Sequence, residues 1–192
     1  MMDGDKPHEC CCGGKGHGHE TEECECKAVK MDAELKELLD AQMNHEFLAA
    51  SAYRALSIWC AAHDFDGFAS FFKSQAEEEI EHAEKLMEHL LDLGEFPVLS
   101  GQAKPICCFG SLLDTAKMAL ELEELNTKGI IGVYEKAVAV KAYPTKILME
   151  WFIDEQVEEE AWANKMVTLV ERASCAGALY SLDRHIVKDL GD

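Results

Sequence analysis

The residues with the most chemistry to offer are a set of acids and one histidine placed at helical spacing. Glu79-Ile-Glu-His82 sets a carboxylate and an imidazole three residues apart, on one face of a helix, where both can ligate one metal ion. Glu46, Glu123 and Glu159 lie in three other segments, each within a stripe of apolar residues at steps of three and four. The first stripe reads Leu39, Gln42, Glu46, Ala49, Tyr53, Leu56, Cys60, and the second Phe68, Phe72, Gln75, Glu79, His82, Leu86. The third reads Leu112, Ala116, Ala119, Glu123, Asn126, Ile130, Val133, and the fourth Leu148, Phe152, Glu155, Glu159, Trp162, Met166, Leu169. Such stripes are the inward seams of bundled helices. Carboxylates gathered there repel one another and lose their hydration, unless they are protonated or neutralised by cations. A pair of divalent metal ions answers that need, and oxygen-rich donors with a single imidazole suit iron or manganese better than zinc.

The elements that must carry these seams can be read from composition and punctuation. From Met31 onward the chain is rich in Ala, Leu, Glu, Lys and Met, the strong helix formers. Ser111 followed by Asp114 marks a helix start, Pro144 suits a first turn, and Gly94 to Gly110 holds turn residues and two prolines without a helical period. Four long helices are expected, at about 32–61, 66–93, 111–138 and 144–173, with a short fifth near 179–189. No segment alternates with a period of two, so strands are not expected. The link over 94–110, about 17 residues, can reach about 55 Å when extended, whereas a 28-residue helix is about 42 Å long. The expected fold is therefore all-α: a four-helix bundle with one long crossover and a short fifth C-terminal helix. The acids and His82 fall near the mid-points of their helices, so antiparallel packing brings them to one level.

Charge and length bound the rest. The 192 residues carry 18 Lys and Arg against 37 Asp and Glu, a net charge of −19, with a mean hydropathy of −0.15. So negative a chain argues against nucleic acid or an anionic membrane as partner and favours cations. No apolar run approaches the roughly 18 residues that cross a bilayer. The first residues lack the apolar stretch of an export signal, so a cytoplasmic location is expected.

Taken together, these stretches resemble the non-haem ferritins of bacterial type. The likeness is carried by Gln42-Met-Asn-His-Glu46 with Tyr53 following, by Ala76-Glu-Glu-Glu-Ile-Glu-His82, and by Trp151-Phe-Ile-Asp-Glu-Gln156-Val-Glu-Glu159-Glu. It covers roughly 31–190. The resemblance implies that Glu46, Glu79 and His82 hold a first iron, and that Glu79 bridges to a second held by Glu123 and Glu159. Gln156 is implied as a polar neighbour of that second iron, and Glu78, Glu155, Glu158 and Glu159 as the surroundings of a third. Tyr53 matches a tyrosine that hydrogen-bonds a ligand carboxylate and supplies an electron; the alternative is a buried aromatic with a satisfied hydroxyl. The implied activity is oxidation of Fe(II) by O2 or H2O2 at a di-iron ferroxidase centre, with ferric mineral stored in a homo-oligomeric shell of about 24 subunits.

Departures from related patterns leave two other readings open. Bacterioferritins and rubrerythrins carry two Glu-x-x-His motifs, but Glu79–His82 is the only one here, and a rubredoxin-like Cys-x-x-Cys module is missing. A rubrerythrin-like di-iron peroxidase and a non-catalytic metal-sequestering protein are the alternatives. The second would work through the N-terminal arm over 1–30, ahead of the bundle at 31–192. That arm holds Cys10, Cys11, Cys12, Cys24 and Cys26 with His8, His17 and His19. These are soft donors suited to zinc, nickel or copper(I), or else incidental thiols on a flexible segment. Cys60 and Cys175 are expected as small core residues, Cys107 and Cys108 as exposed loop thiols, and Trp59, Trp151 and Trp162 as packing residues. Gly129 and Gly132 are expected to mark close packing or a bend in the third helix.

Overall fold

The computed structural model describes residues 31–190. The Cys/His-rich arm expected over 1–30 lies outside them. Five helices are present among the described residues: α1 (Ala33–Ala62), α2 (Asp66–Asp92), α3 (Leu112–Ala139), α4 (Tyr143–Arg172) and α5 (Ala176–Leu190). Among the described residues there is no strand.

Local chemistry sets the ends. Asp32 caps α1 by accepting from Leu35 N, and Ser111 caps α3 by accepting from Asp114 N, each satisfying a first-turn donor that has no partner inside its own helix. Pro144 sits in the first turn of α4, where its missing N–H costs nothing. α2 has no side-chain cap of its own. Its Phe68 N instead donates to Asp183 of α5 at 3.1 Å. A Cβ on Gly67 would stand 1.8 Å from the Asp183 carbonyl oxygen, so only glycine lets α5 come this close. That docking begins α5 three residues before the sequence suggested, because tertiary contact outweighs the poor helix propensity of Gly177.

The residues 94–110 form the expected crossover without secondary structure. It runs the length of α1. Glu95 accepts from Met31 N, Val98 N donates to Asp40, Ser100 N donates to Asn44, and Phe109 meets the Trp59 ring edge-on. The chain thus returns to the far end before α3 begins, so α1 and α4 run one way while α2 and α3 run the other. α1 packs most closely on α2, α3 on α4, and α1 also meets α3. α2 and α4 instead border a groove of about 510 Å³.

The bundle interior is apolar at both ends and polar between. One cluster gathers Tyr53, Leu56, Phe68, Phe72, Ala116 and Met166; the other gathers Leu35, Leu39, Met43, Leu90, Ile130 and Met149. Three of the four expected seams are buried throughout. The fourth differs: its inward residues are Thr145, Met149, Phe152, Gln156, Glu159, Trp162, Ala163, Met166 and Val170. Leu148, Glu155 and Leu169 are only half-buried. A step of three and a step of four are equally helical, and only the neighbouring helices choose between them. Cys175 is a second correction. It is exposed, in the turn before α5, whereas Cys60 is fully buried and Cys107 and Cys108 are exposed as expected.

Candidate metal centre

Each bundle helix delivers its part of the polar layer from mid-length. Glu46 comes from α1, Glu79 and His82 from α2, Glu123 from α3, and Gln156 and Glu159 from α4, and all six are buried. An oxygen of Glu46, an oxygen of Glu79 and a ring nitrogen of His82 lie within 4.8 Å of one another. His82 Nδ1 is 3.3 Å from Glu79 Oε2, the contact that i, i+3 spacing predicts.

The first half of the layer is short of donors. Glu46 Oε1 accepts from Gln42 Nε2 at 2.8 Å, and the same amide reaches Asn126 Oδ1 at 2.5 Å. Glu46 Oε2 is buried with no partner. A buried carboxylate oxygen without a donor is costly, and a cation bound between Glu46, Glu79 and His82 would remove that cost. Gln42 itself fits only because residue 129 is glycine: a Cβ there would stand 1.9 Å from Gln42 Oε1. Gly132 faces open space, so of the two glycines only Gly129 marks a close approach.

The second half is better supplied. Glu123 accepts from the Tyr53 hydroxyl and from Gln156 Nε2, and Gln156 also donates to Thr127 Oγ1 at 3.1 Å. Glu159 Oε2 accepts from Trp162 Nε1 at 2.5 Å. Trp162 was expected only to pack. It does pack, edge-on to Phe71 at 4.9 Å, and it also holds a carboxylate. Its place three residues after Glu159, the spacing of His82 after Glu79, was the available signal.

Electrostatics sharpen the picture. Burial, then the charge of Glu79, pushes Glu46 well above the ordinary carboxylate range. Burial, then the charge of Glu123, does the same to Glu79. Burial pushes Glu123 up to about 7 against the pull of its Tyr53 and Gln156 bonds. Glu159 is pushed up to about 9, by burial first and by Glu123 and Glu78 next. Burial likewise raises Tyr53 well above the usual phenol range. Four acids that resist ionising, side by side, are what a cation site looks like before its cations arrive.

Glu78, Glu155 and Glu158 sit outside this layer. They line the groove between α2 and α4, together with Glu159, Trp162 and Phe71. Glu158 is exposed, while Glu78 and Glu155 are half-buried. Oxygens of Glu78 and Glu155 come within 4.8 Å of a His82 ring nitrogen and of each other, so the imidazole stands between the buried layer and the groove acids. Trp151 is partly exposed, with Lys85 Nζ 4.1 Å from its ring centre.

Fold and site together define a class: an all-α bundle whose interior is cut by a carboxylate layer in which Glu46, Glu79 and His82 could hold a metal ion. The Ferritin-like domain matches residues 36–173. The chain is 36% identical over 153 residues to a bacterial non-heme ferritin of Staphylococcus aureus, covering 79% of this chain and 92% of that one. It is 39% identical over 140 residues to the bacterial non-heme ferritin of Staphylococcus saprophyticus, covering 71% and 84%. Among solved structures, an open pore ferritin from Archaeoglobus fulgidus superposes with a TM-score of 0.79 at 27% identity, over 82% of this chain and 98% of that one. The chain belongs to the ferritin family.

Proposed function

We propose that the protein stores iron and oxidises it on the way in, taking Fe(II) as substrate at the buried layer and O2 or H2O2 as oxidant. The observation that carries this reading is the meeting of Glu46, Glu79 and His82 within ligand distance, at the level of buried Glu123 and Glu159. Glu46, Glu79 and His82 hold one ion. Glu79 bridges to a second, held by Glu123 and Glu159 with Gln156 beside it. Because burial raises the proton affinity of these acids, each ion that enters displaces protons they still hold, and protons rebind when it leaves. Two Fe(II) ions then give up one electron each, and the two electrons with two protons reduce one O2 to H2O2 or one H2O2 to two waters, while the Tyr53 hydroxyl, donating to Glu123, orients that carboxylate. Glu78, Glu155 and Glu158, in the groove that Glu159 also lines, take ions leaving the layer or hold a third. The ferric product collects inside a closed shell of about 24 copies, in the cytoplasm.

Two parts of the chain share the work in this reading. Residues 31–192 form the oxidising bundle, and residues 1–30 bind a soft metal, zinc, nickel or copper(I), through their cysteines and histidines. Peroxidase chemistry of the rubrerythrin kind is disfavoured by the lack of a second Glu-x-x-His, since Trp162 stands where that histidine would be.

Stopped-flow absorbance tests the proposal. Apo-protein loaded without air with two Fe(II) per subunit is mixed with O2, and separately with H2O2. A fast ferric signal that saturates at two ions per subunit and disappears in Glu79→Ala and His82→Ala is expected. Wild-type oxidation by Glu79→Ala would sink the reading, and uptake without oxidation would favour sequestration by the arm.

A further inference from the structure

The two metal positions of the layer are built on a repeated spacing with different endings. On α2, Glu79 is followed three residues later by His82; on α4, Glu159 is followed three residues later by Trp162. In both pairs the ring nitrogen turns back to the carboxylate, His82 Nδ1 at 3.3 Å from Glu79 Oε2 and Trp162 Nε1 at 2.5 Å from Glu159 Oε2. An imidazole can give a lone pair to a metal ion; an indole N–H can only donate a proton. Trp162 is also fixed from behind. Its ring lies edge-on to Phe71 at 4.9 Å and tilted over Tyr53 at 6.2 Å, and it is almost fully buried. It forms part of the wall between the layer and the groove where Glu78, Glu155 and Glu158 wait. Glu159 borders both spaces, so its carboxylate has two directions in which to turn.

We propose that Trp162 is a positioning residue for the second metal position. Its N–H holds Glu159 toward the layer, and its ring occupies the place where an imidazole would otherwise bind the metal. This inference rests on the proposed function, because it concerns the same layer. The result is an asymmetric pair. The first position has two carboxylates and an imidazole. The second shares Glu79 and adds carboxylates alone, Glu123 already engaged by Tyr53 and Gln156 and Glu159 by Trp162. An ion in the second position is therefore held more loosely and passes more readily to the groove acids, as suits a substrate rather than a resident cofactor.

The test uses the full-length protein and ions that do not change oxidation state under the conditions. Zn(II) binding is followed by calorimetry and Co(II) binding by visible absorption, each read as the difference from a Glu46→Gln/Glu79→Ala/Glu159→Ala reference with residues 1–30 intact, so that ions taken by the arm cancel and the Co(II) spectrum reports whether nitrogen has joined the ligand set of the layer. Wild type is expected to bind two ions at the layer in steps of unequal affinity. Trp162→Phe keeps an aromatic ring, though a smaller one, and removes the N–H; it should weaken the second step by about tenfold, the scale of a lost partner to a metal ligand, and leave the first unchanged. Trp162→His restores a nitrogen; it should bring the second step back to wild-type affinity or tighter, with a Co(II) spectrum altered by the added imidazole. A purely structural role predicts the opposite order, since histidine fills the space less well than phenylalanine. The proposal is overturned if Trp162→Phe keeps the second step within about twofold of wild type, or if Trp162→His binds no tighter than Trp162→Phe. Failure of the underlying function looks different: neither step of the wild type would then respond to Glu46→Gln or Glu79→Ala.

Discussion

The apolar clusters at the two ends of the bundle and the polar layer between them ride on the same helices, at the same helical spacing, yet obey opposite rules. Leu56, Phe72, Leu90 and Met149 are buried because burial lowers their free energy. Glu46, Glu79, Glu123 and Glu159 are buried although burial raises theirs, as their upward-shifted proton affinities record. The difference teaches where function resides. The ends hold the helices together firmly enough that the middle can be kept poor in protein–protein compensation and rich in empty ligand capacity.

Mutations that act on one region alone should separate the two most strongly. Glu79→Ala and His82→Ala should lower Fe(II) oxidation by about a hundredfold or more, as expected when a metal-ligand set is broken. The melting temperature of apo Glu79→Ala, followed by circular dichroism, should stay level or rise, since an apolar replacement removes a buried carboxyl. Leu56→Ala and Leu90→Ala should do the reverse. Denaturant titration should show a loss of about 2–5 kcal/mol, while oxidation per folded subunit persists.

The pH dependence offers a sharper contrast. Glu159 keeps its proton up to about 9 when folded, against an ordinary value of 4.5, and Glu123 keeps its proton up to about 7. The folded state therefore holds more protons than the unfolded chain between those limits. The apo bundle's contribution from these groups is complete below about 4.5 and fades as pH rises toward 7 and then 9. Urea midpoints of the apo-protein should fall across that range, and saturating Zn(II), by replacing the protons, should flatten the fall.

Smaller effects probe the seams between the regions. Gly129→Ala pushes a methyl group against Gln42, which stands 1.9 Å from the ideal Cβ position. It should cost about 1–3 kcal/mol and weaken the first metal step by displacing the donor to Glu46, both measurable by calorimetry. Ser111→Ala, far from the layer, should cost about 1 kcal/mol through loss of the α3 cap and leave metal binding unchanged.

Much of this was legible in the chain alone, for identifiable reasons. Helical period, the Ser111 cap, Pro144 and the featureless stretch 94–110 are local signals, and the structure realises each of them. Glu46, Glu79, His82, Glu123 and Glu159 could be placed at one level because helix rise is constant and mid-points of antiparallel helices meet. Family membership follows from the same stretches. What sequence left undecided depends on neighbours rather than on period. Whether Glu155 or Gln156 faces inward on α4 is a rotation of one residue, and Gln156 is the one buried, donating to Glu123 and Thr127 of α3. The early start of α5 was decided by Asp183 reaching the open end of α2 across Gly67. Trp162 looked like a packing residue because an indole's burial is visible in a stripe, whereas the partner of its N–H is not. Period and composition determined the inward side chains of α1, α2 and α3; only the three-dimensional meeting of the helices decided those of α4, which carboxylates have donors, which oxygen has none, and hence how unequal the two halves of the layer are.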